Sequence, residues 1–147
     1  MQHPLGEGLA RMAELIEWDD RYSVGNSILD EQHKHLVAQC NRLGGCIDRE
    51  RHADGLFHDI LHELAVYAKE HFRTEESILV SRGFPDLEAH KQEHVGYVDR
   101  LSVILLAATV GGVGRQEMQG LHRFLTGWFH DHILTSDMRY REFLASA

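Results

Sequence analysis

The stretch from His71 to His94 carries two matched pairs of side chains able to hold a metal. His71 and Glu75 stand four positions apart, and so do His90 and His94. On an α-helix such pairs lie within about 40° of each other on one face. Between them Gly83, Phe84 and Pro85 form a turn that lets the two helices fold back face to face. Imidazole and carboxylate oxygen together suit a first-row transition metal such as iron. Facing helices of a bundle are a ready frame for a buried metal site.

Three further candidates complete the set. His33 falls within the apolar stripe of an earlier helix, His132 falls on that of a later one, and Asp137 follows five residues after His132. Every predicted helix thus places at least one histidine on its apolar face: His33, His71, His90 with His94, and His132. A lone histidine on such a stripe is usually a satisfied core residue. Five of them with two carboxylates, Glu75 and Asp137, are a different case. Buried without partners, each would cost several kcal/mol, and one shared metal centre removes all those costs together. The remaining histidines are His3, His35, His52, His58, His62, His122 and His130. None of these reads as a ligand, and most read as exposed or in loops, with His122 at a stripe's edge and His35, His58, His62 and His130 facing away.

The helices that must position these donors follow from periodicity. The first is expected from an N-cap at Ser27 to near Asp48, with Leu29, Leu36, Val37, Cys40, Leu43 and Ile47 inside. The pair Gly44-Gly45 weakens it locally. The second follows an N-cap at Asp54 and closes at Gly83, with Phe57, Ile60, Leu64, Tyr67, Ala68, Ile78 and Leu79 on its stripe. Pro85 starts the third, which buries Leu87, Tyr97, Leu101, Ile104 and Leu105. A flexible break at Gly111–Gly114 precedes the fourth, with Met118, Leu121, Leu125, Trp128 and Phe129. The segment Leu134–Asp137 is expected to end or kink it, and a short helix over Met138–Leu144 covers that end.

Four helices with short connections predict an all-α, up-down-up-down antiparallel four-helix bundle. The expected division is a single domain over 1–147: an N-terminal arm at 1–26, the bundle at 27–137 and a C-terminal tail at 138–147. Leu9, Met12, Ala13 and Ile16 suggest an amphipathic turn in the arm, anchored by Trp18. The chain has a formal charge of -8, so a nucleic-acid backbone is not an expected partner. No apolar run approaches the roughly 20 residues that span a bilayer. Residues 1–18 lack the order of a secretory signal, and Cys40 and Cys46 would point about 120° apart on one helix, so no disulfide joins them. Cytoplasm is the expected compartment.

Four segments carry a resemblance to a known family. They are Trp18 with G-N-S-I-L-D-E-Q-H at 25–33, H-F-R-T-E at 71–75, H-K-Q-E-H at 90–94 and W-F-H-D-H-I-L-T-S-D at 128–137. Over about residues 18–140 the chain resembles the hemerythrins, in their single-domain bacterial form. The resemblance implies two iron ions per chain. His90, His94 and His132 would hold one, His33 and His71 the other, and Glu75, Asp137 and a solvent-derived oxo or hydroxo group would bridge them. That set gives one iron six donors and the other five, leaving an open position on the His33 and His71 side. Reversible dioxygen binding there, for storage, transport or delivery, needs a dry pocket. The family pattern makes its wall Leu36, Phe72, Trp128, Phe129 and Ile133. Phe129 is a departure, because the family usually has leucine after this tryptophan.

Other readings are weighed by the donor balance. A diiron oxidase, peroxidase or nitric oxide reductase of the ferritin-like kind uses mostly carboxylates with a Glu-x-x-His pattern. Here five of the seven donors are imidazoles in other spacings, which favours a binding protein over an enzyme. An oxygen or redox sensor would act through a separate protein partner. Zinc typically takes four ligands, so seven donors argue against it.

Overall fold

The computed structural model describes residues 16–48, 55–111 and 114–146. Among these residues the chain is helical, with no strand. Helices α1 (Ser27–Asp48), α2 (Leu56–Arg82), α3 (Leu87–Gly111) and α4 (Arg115–Asp131) run up-down-up-down as an antiparallel bundle. A π-helical turn over His132–Asp137 leads into α5 (Met138–Ser146). The stripes read from sequence form the core: Leu29, Leu36, Cys40, Leu43, Leu64, Ala68, Leu79, Tyr97 and Leu125 are fully buried. Burial of that apolar surface is the main force closing the bundle.

The ends of the helices differ from expectation in ways that local chemistry explains. Ser27 is the first helical residue of α1 rather than its cap. The cap is Asn26, whose Oδ1 accepts the backbone N–H of Leu29 at 3.1 Å. Asp30, expected to favour the helix dipole, also accepts from Val24 N–H at 2.8 Å and Ser23 Oγ at 2.6 Å, tying the incoming chain to α1. Gly55, in the left-handed conformation, takes the position before α2, while Asp54 lies outside the described residues. Gly83 closes α2 with φ 73°, its N–H reaching back to the last turn as expected. Pro85 sits in the turn, and α3 begins two residues on, at Leu87.

Of the arm, residues 16–26 are described, and Leu9, Met12 and Ala13 lie outside. Asn41 holds Ile16 through both its backbone groups, at 3.0 and 2.8 Å. Trp18 packs on Tyr22 with ring centroids 5.5 Å apart, and the ammonium of Lys34 lies 5.6 Å from its ring.

The largest departure is at the end of α4. The α-helix ends at Asp131, but the chain stays helical and widens into a π-turn. In an α-helix, residues five apart point about 140° away from each other. A π-turn closes its hydrogen bonds from i to i+5 and brings such residues to one side. His132 and Asp137 are that pair, and His132 Nε2 lies 3.0 Å from Asp137 Oδ1.

Candidate metal centre

All seven predicted donors converge on one buried point. Side-chain exposure is at most 5% for His33, His71, Glu75, His90, His94, His132 and Asp137, so water does not solvate them. Helix α1 contributes His33, α2 contributes His71 and Glu75, α3 contributes His90 and His94, and the π-turn contributes His132 and Asp137. Two groups of candidate ligand atoms form, one from Glu75, His90, His94 and His132, the other from His33, His71 and Glu75.

The two carboxylates divide their oxygens between these groups. Glu75 Oε1 lies 2.5 Å from His90 Nε2 and 3.1 Å from His94 Nε2. Its other oxygen, Oε2, lies 3.2 Å from His71 Nε2 and 3.5 Å from His33 Nε2. Asp137 repeats the division: Oδ1 is 3.2 Å from His90 Nε2 and 3.0 Å from His132 Nε2, whereas Oδ2 is 3.2 Å from His33 Nε2.

Hydrogen bonds from outside fix which ring nitrogen faces inward. His94 Nδ1 meets Glu76 at 2.7 Å and His132 Nδ1 meets Glu93 at 2.8 Å. A carboxylate accepts only, so both Nδ1 atoms carry the proton and both Nε2 atoms present a lone pair. His71 follows the same rule through Gln32 Oε1 at 2.8 Å. The amide is oriented by Thr74, whose hydroxyl donates to the Glu70 carbonyl and so receives the Gln32 N–H.

This arrangement fits a cation. His94 Nε2 and His132 Nε2 lie 3.2 Å apart, and with both protons outward neither can donate to the other. Two lone pairs at that distance repel unless a positive ion sits between them. Donors sharing one metal at about 2.1 Å are separated by roughly 3 Å, which is the spacing seen throughout the cluster. His33 Nε2, Asp137 Oδ1 and Asp137 Oδ2 are buried without a hydrogen-bond partner, a costly state that a metal relieves.

Protons take part of that role in the metal-free protein. Burial alone would lower the pKa of His33, but the Asp137 and Glu75 carboxylates more than offset it and raise it to about 9. For His90 burial is again opposed by Asp137 and Glu75, and the pKa rises to about 10. Burial would raise Glu75, yet the His33, His71, His90 and His94 imidazoles gathered around it pull it well below the ordinary carboxylate value. His71 goes the other way from His33: burial lowers it, and Glu75 does not make up the difference.

Of the five residues expected to wall a pocket, Leu36, Phe72, Phe129 and Ile133 are buried and Trp128 is half-buried. Phe72 stacks on the imidazole of His94 at 3.9 Å and Trp128 stacks on that of His132 at 4.3 Å. Leu36, Phe72 and Phe129 belong to the main core, while Ile133 packs with Ile16, Tyr22 and Val37.

Residues that periodicity does not mark are also present. Gln32, Glu76 and Glu93 read as ordinary polar flanks, although each is the sequence neighbour of a donor. Tyr140 on α5 donates from its hydroxyl to Glu75 Oε2 at 3.0 Å, and burial beside Asp137 and Glu75 keeps that phenol protonated. His122, expected at the edge of its stripe, is 2% exposed, and its Nε2 lies 2.9 Å from the Cys40 carbonyl. Gly44 explains the close approach, since a Cβ there would fall 2.8 Å from that nitrogen.

A family profile described as "Hemerythrin HHE cation binding domain" matches residues 24–144. The chain belongs to the hemerythrin family. It is 30% identical over 129 residues to a bacteriohemerythrin of Pseudomonas aeruginosa, covering 88% of this chain and 80% of that protein. A hemerythrin-like protein of Naegleria gruberi is 34% identical over 126 residues, covering 86% and 91%. A solved wild-type hemerythrin superposes with a TM-score of 0.76 at 24% identity, over 87% of this chain and 96% of that one, which shows the common fold. Membership in the hemerythrins implies a non-heme diiron site that binds dioxygen. None of the helices among the described residues is long and apolar enough to cross a membrane.

Proposed function

We propose that this hemerythrin holds two iron ions and binds dioxygen reversibly, for oxygen storage, transport or delivery, as a binding protein rather than an enzyme. The observation that carries this reading is the divided carboxylate pair: both Glu75 and Asp137 offer one oxygen to the His90, His94 and His132 side and the other to the His33 side. One side then has three imidazoles and the other has His33 and His71; both share Glu75, and Asp137 reaches His90 and His132 on one side and His33 on the other. By that count the His33 and His71 side is one donor short and is where dioxygen binds.

Held by His33, His71, Glu75, His90, His94, His132 and Asp137, two irons would supply reversible electron exchange with dioxygen. The protein's part is to make that exchange clean. Glu76, Glu93 and Gln32 hold His94, His132 and His71 with their lone pairs inward before any ligand arrives. Tyr140 fixes Glu75 and keeps its own proton on the phenol oxygen. Leu36, Phe72, Trp128, Phe129 and Ile133 form the apolar wall that excludes water and stray acids. Cys40 stays a thiol, because burial, against the hydrogen bond of Thr126, pushes it up to about 12. Cys46, on the same helix, is buried as well.

Elemental analysis tests the first half: the purified protein contains two irons per chain. Anaerobic reduction followed by cycles of air and deoxygenation tests the second. A near-ultraviolet and visible charge-transfer band appears and disappears with oxygen. An irreversible colour change with release of hydrogen peroxide would instead assign an oxidase.

A further inference from the structure

Three imidazoles of the cluster are tied from outside, and the ties run round the bundle in one sense. Gln32 on α1 reaches His71 on α2, Glu76 on α2 reaches His94 on α3, and Glu93 on α3 reaches His132 beyond α4. The step that would close the ring, back to α1, is missing: His33 Nδ1 is buried and has no hydrogen-bond partner. The chemistry changes at the same place. His94 and His132, on the three-imidazole side, lean on carboxylates. His71, on the other side, leans on a neutral amide, and His33 on nothing.

A carboxylate that accepts the Nδ1 proton pushes electron density towards Nε2 and makes it a better donor to a cation, beyond fixing the ring. It also adds a negative charge near the ion, which a glutamine does not. Glu76 and Glu93 are 25% and 38% exposed, so water screens part of that charge, but both act through short bonds to rings that are themselves buried. Glu93 is further held by the Ser136 hydroxyl, which the π-turn places beside it. Each carboxylate lines a surface cleft, of about 310 Å³ at Glu76 and about 430 Å³ at Glu93. Both carboxylates therefore keep contact with water while their partners stay dry.

We propose that Glu76 and Glu93 are positioning residues that make the His90, His94 and His132 side the tighter, first-filled metal subsite, while Gln32 and the untied His33 leave the His33 and His71 side weaker and last filled. This rests on the reading of those histidines as metal ligands. It adds that the side one donor short is also the less electron-rich one, so exchange of metal and binding of an exogenous ligand both favour it.

Titration of the metal-free protein with Co(II), followed by calorimetry and visible absorption, tests the idea without dioxygen. Two resolved steps are expected. Glu93→Gln keeps an acceptor oxygen and removes the charge; it weakens the first step by roughly tenfold or more and leaves the second unchanged. Glu76→Gln does the same. Gln32→Glu supplies the missing anion and tightens the second step, which a merely structural contact would not do. Circular dichroism melts of the metal-free variants verify that they fold. If Glu93→Gln weakens both steps alike, or Gln32→Glu leaves the second step where it was, the inequivalence is wrong. Two identical steps in the parent protein also overturn it, while the ligand reading stands. No Co(II) uptake by any form overturns the ligand reading itself.

Discussion

His122 and His94 are both 2% exposed, yet the bundle treats them differently. The His122 ring lies against the backbone of α1: Nε2 is 2.9 Å from the Cys40 carbonyl and 3.3 Å from the Thr126 hydroxyl, and Gly44 clears the space. Its inward nitrogen is satisfied by protein. The inward nitrogen of His94 faces that of His132 at 3.2 Å, each with its proton turned outward to a carboxylate. Burial does not separate a structural histidine from a ligand. The lone pair left over after every protein partner is counted does.

The largest effect should come from removing what that lone pair needs. A metal present at about a thousand times its dissociation constant stabilises the native state by about 4 kcal/mol. In a chain of this size chelation then lowers the melting temperature by roughly 10 to 20 °C. The metal-free protein should also become sensitive to alkali. His33 and His90 hold protons more tightly folded than unfolded, so their contribution is full below about pH 6.5 and is lost as pH rises through about 9 and about 10. Glu75 and Asp137 are depressed instead, so their contribution is present above about pH 4 and goes only as acid protonates them. A series of melts should therefore show the metal-free form most stable in mildly acidic buffer and softening towards pH 10. The loaded form should lack the alkaline loss, because metal has displaced those protons.

Next in size is a contrast between two histidines of α2. His71→Ala should lose metal from the His33 and His71 side, whereas exposed His62→Ala should keep the parent content. Equal loss in both, by elemental analysis, would mean that the inward face of α2 has been misassigned.

The donors were legible in the sequence because an α-helix turns spacing into direction. His71 with Glu75 and His90 with His94 can share a face only if the chain is helical, and the surrounding stripe tells which face is buried. Asp137 is legible by residue type and nearness to His132, but not by direction. Five residues from His132, it points the wrong way on an α-helix, and the π-turn that corrects it has no signature in residue type. Gln32, Glu76 and Glu93 were hidden for another reason. Each makes its decisive contact on the next helix, and periodicity along one helix says nothing of that; adjacency to a donor was the available signal. The depth of His122 was hidden likewise: in sequence Gly44 is a weak point of α1, and only packing against α4 makes it room for a ring.

Gly44→Ala sharpens the comparison from the structural side. The new methyl would overlap the His122 ring, so a loss of about 1 to 3 kcal/mol in denaturant melts is expected, with metal content unchanged. Adding His122→Ala should recover part of it, since the clash has one partner; failure to recover would place the strain in the backbone.

The smallest effect is expected where the two kinds of site meet. Phe129 is 1% exposed, 5.0 Å from the Tyr97 ring and 5.6 Å from that of Trp128, and Trp128 in turn stacks on His132. It thus belongs to the main core and to the wall proposed for the dioxygen pocket. Phe129→Leu keeps an apolar side chain and removes a few carbons, so the stability cost should be about 1 kcal/mol and the metal content should not change. The loaded, reduced protein should take up dioxygen faster in stopped flow, because a flat ring beside Trp128 narrows the way in. If stability falls while the rate stays put, Phe129 is packing in the same sense as His122, and the pocket wall must be redrawn without it.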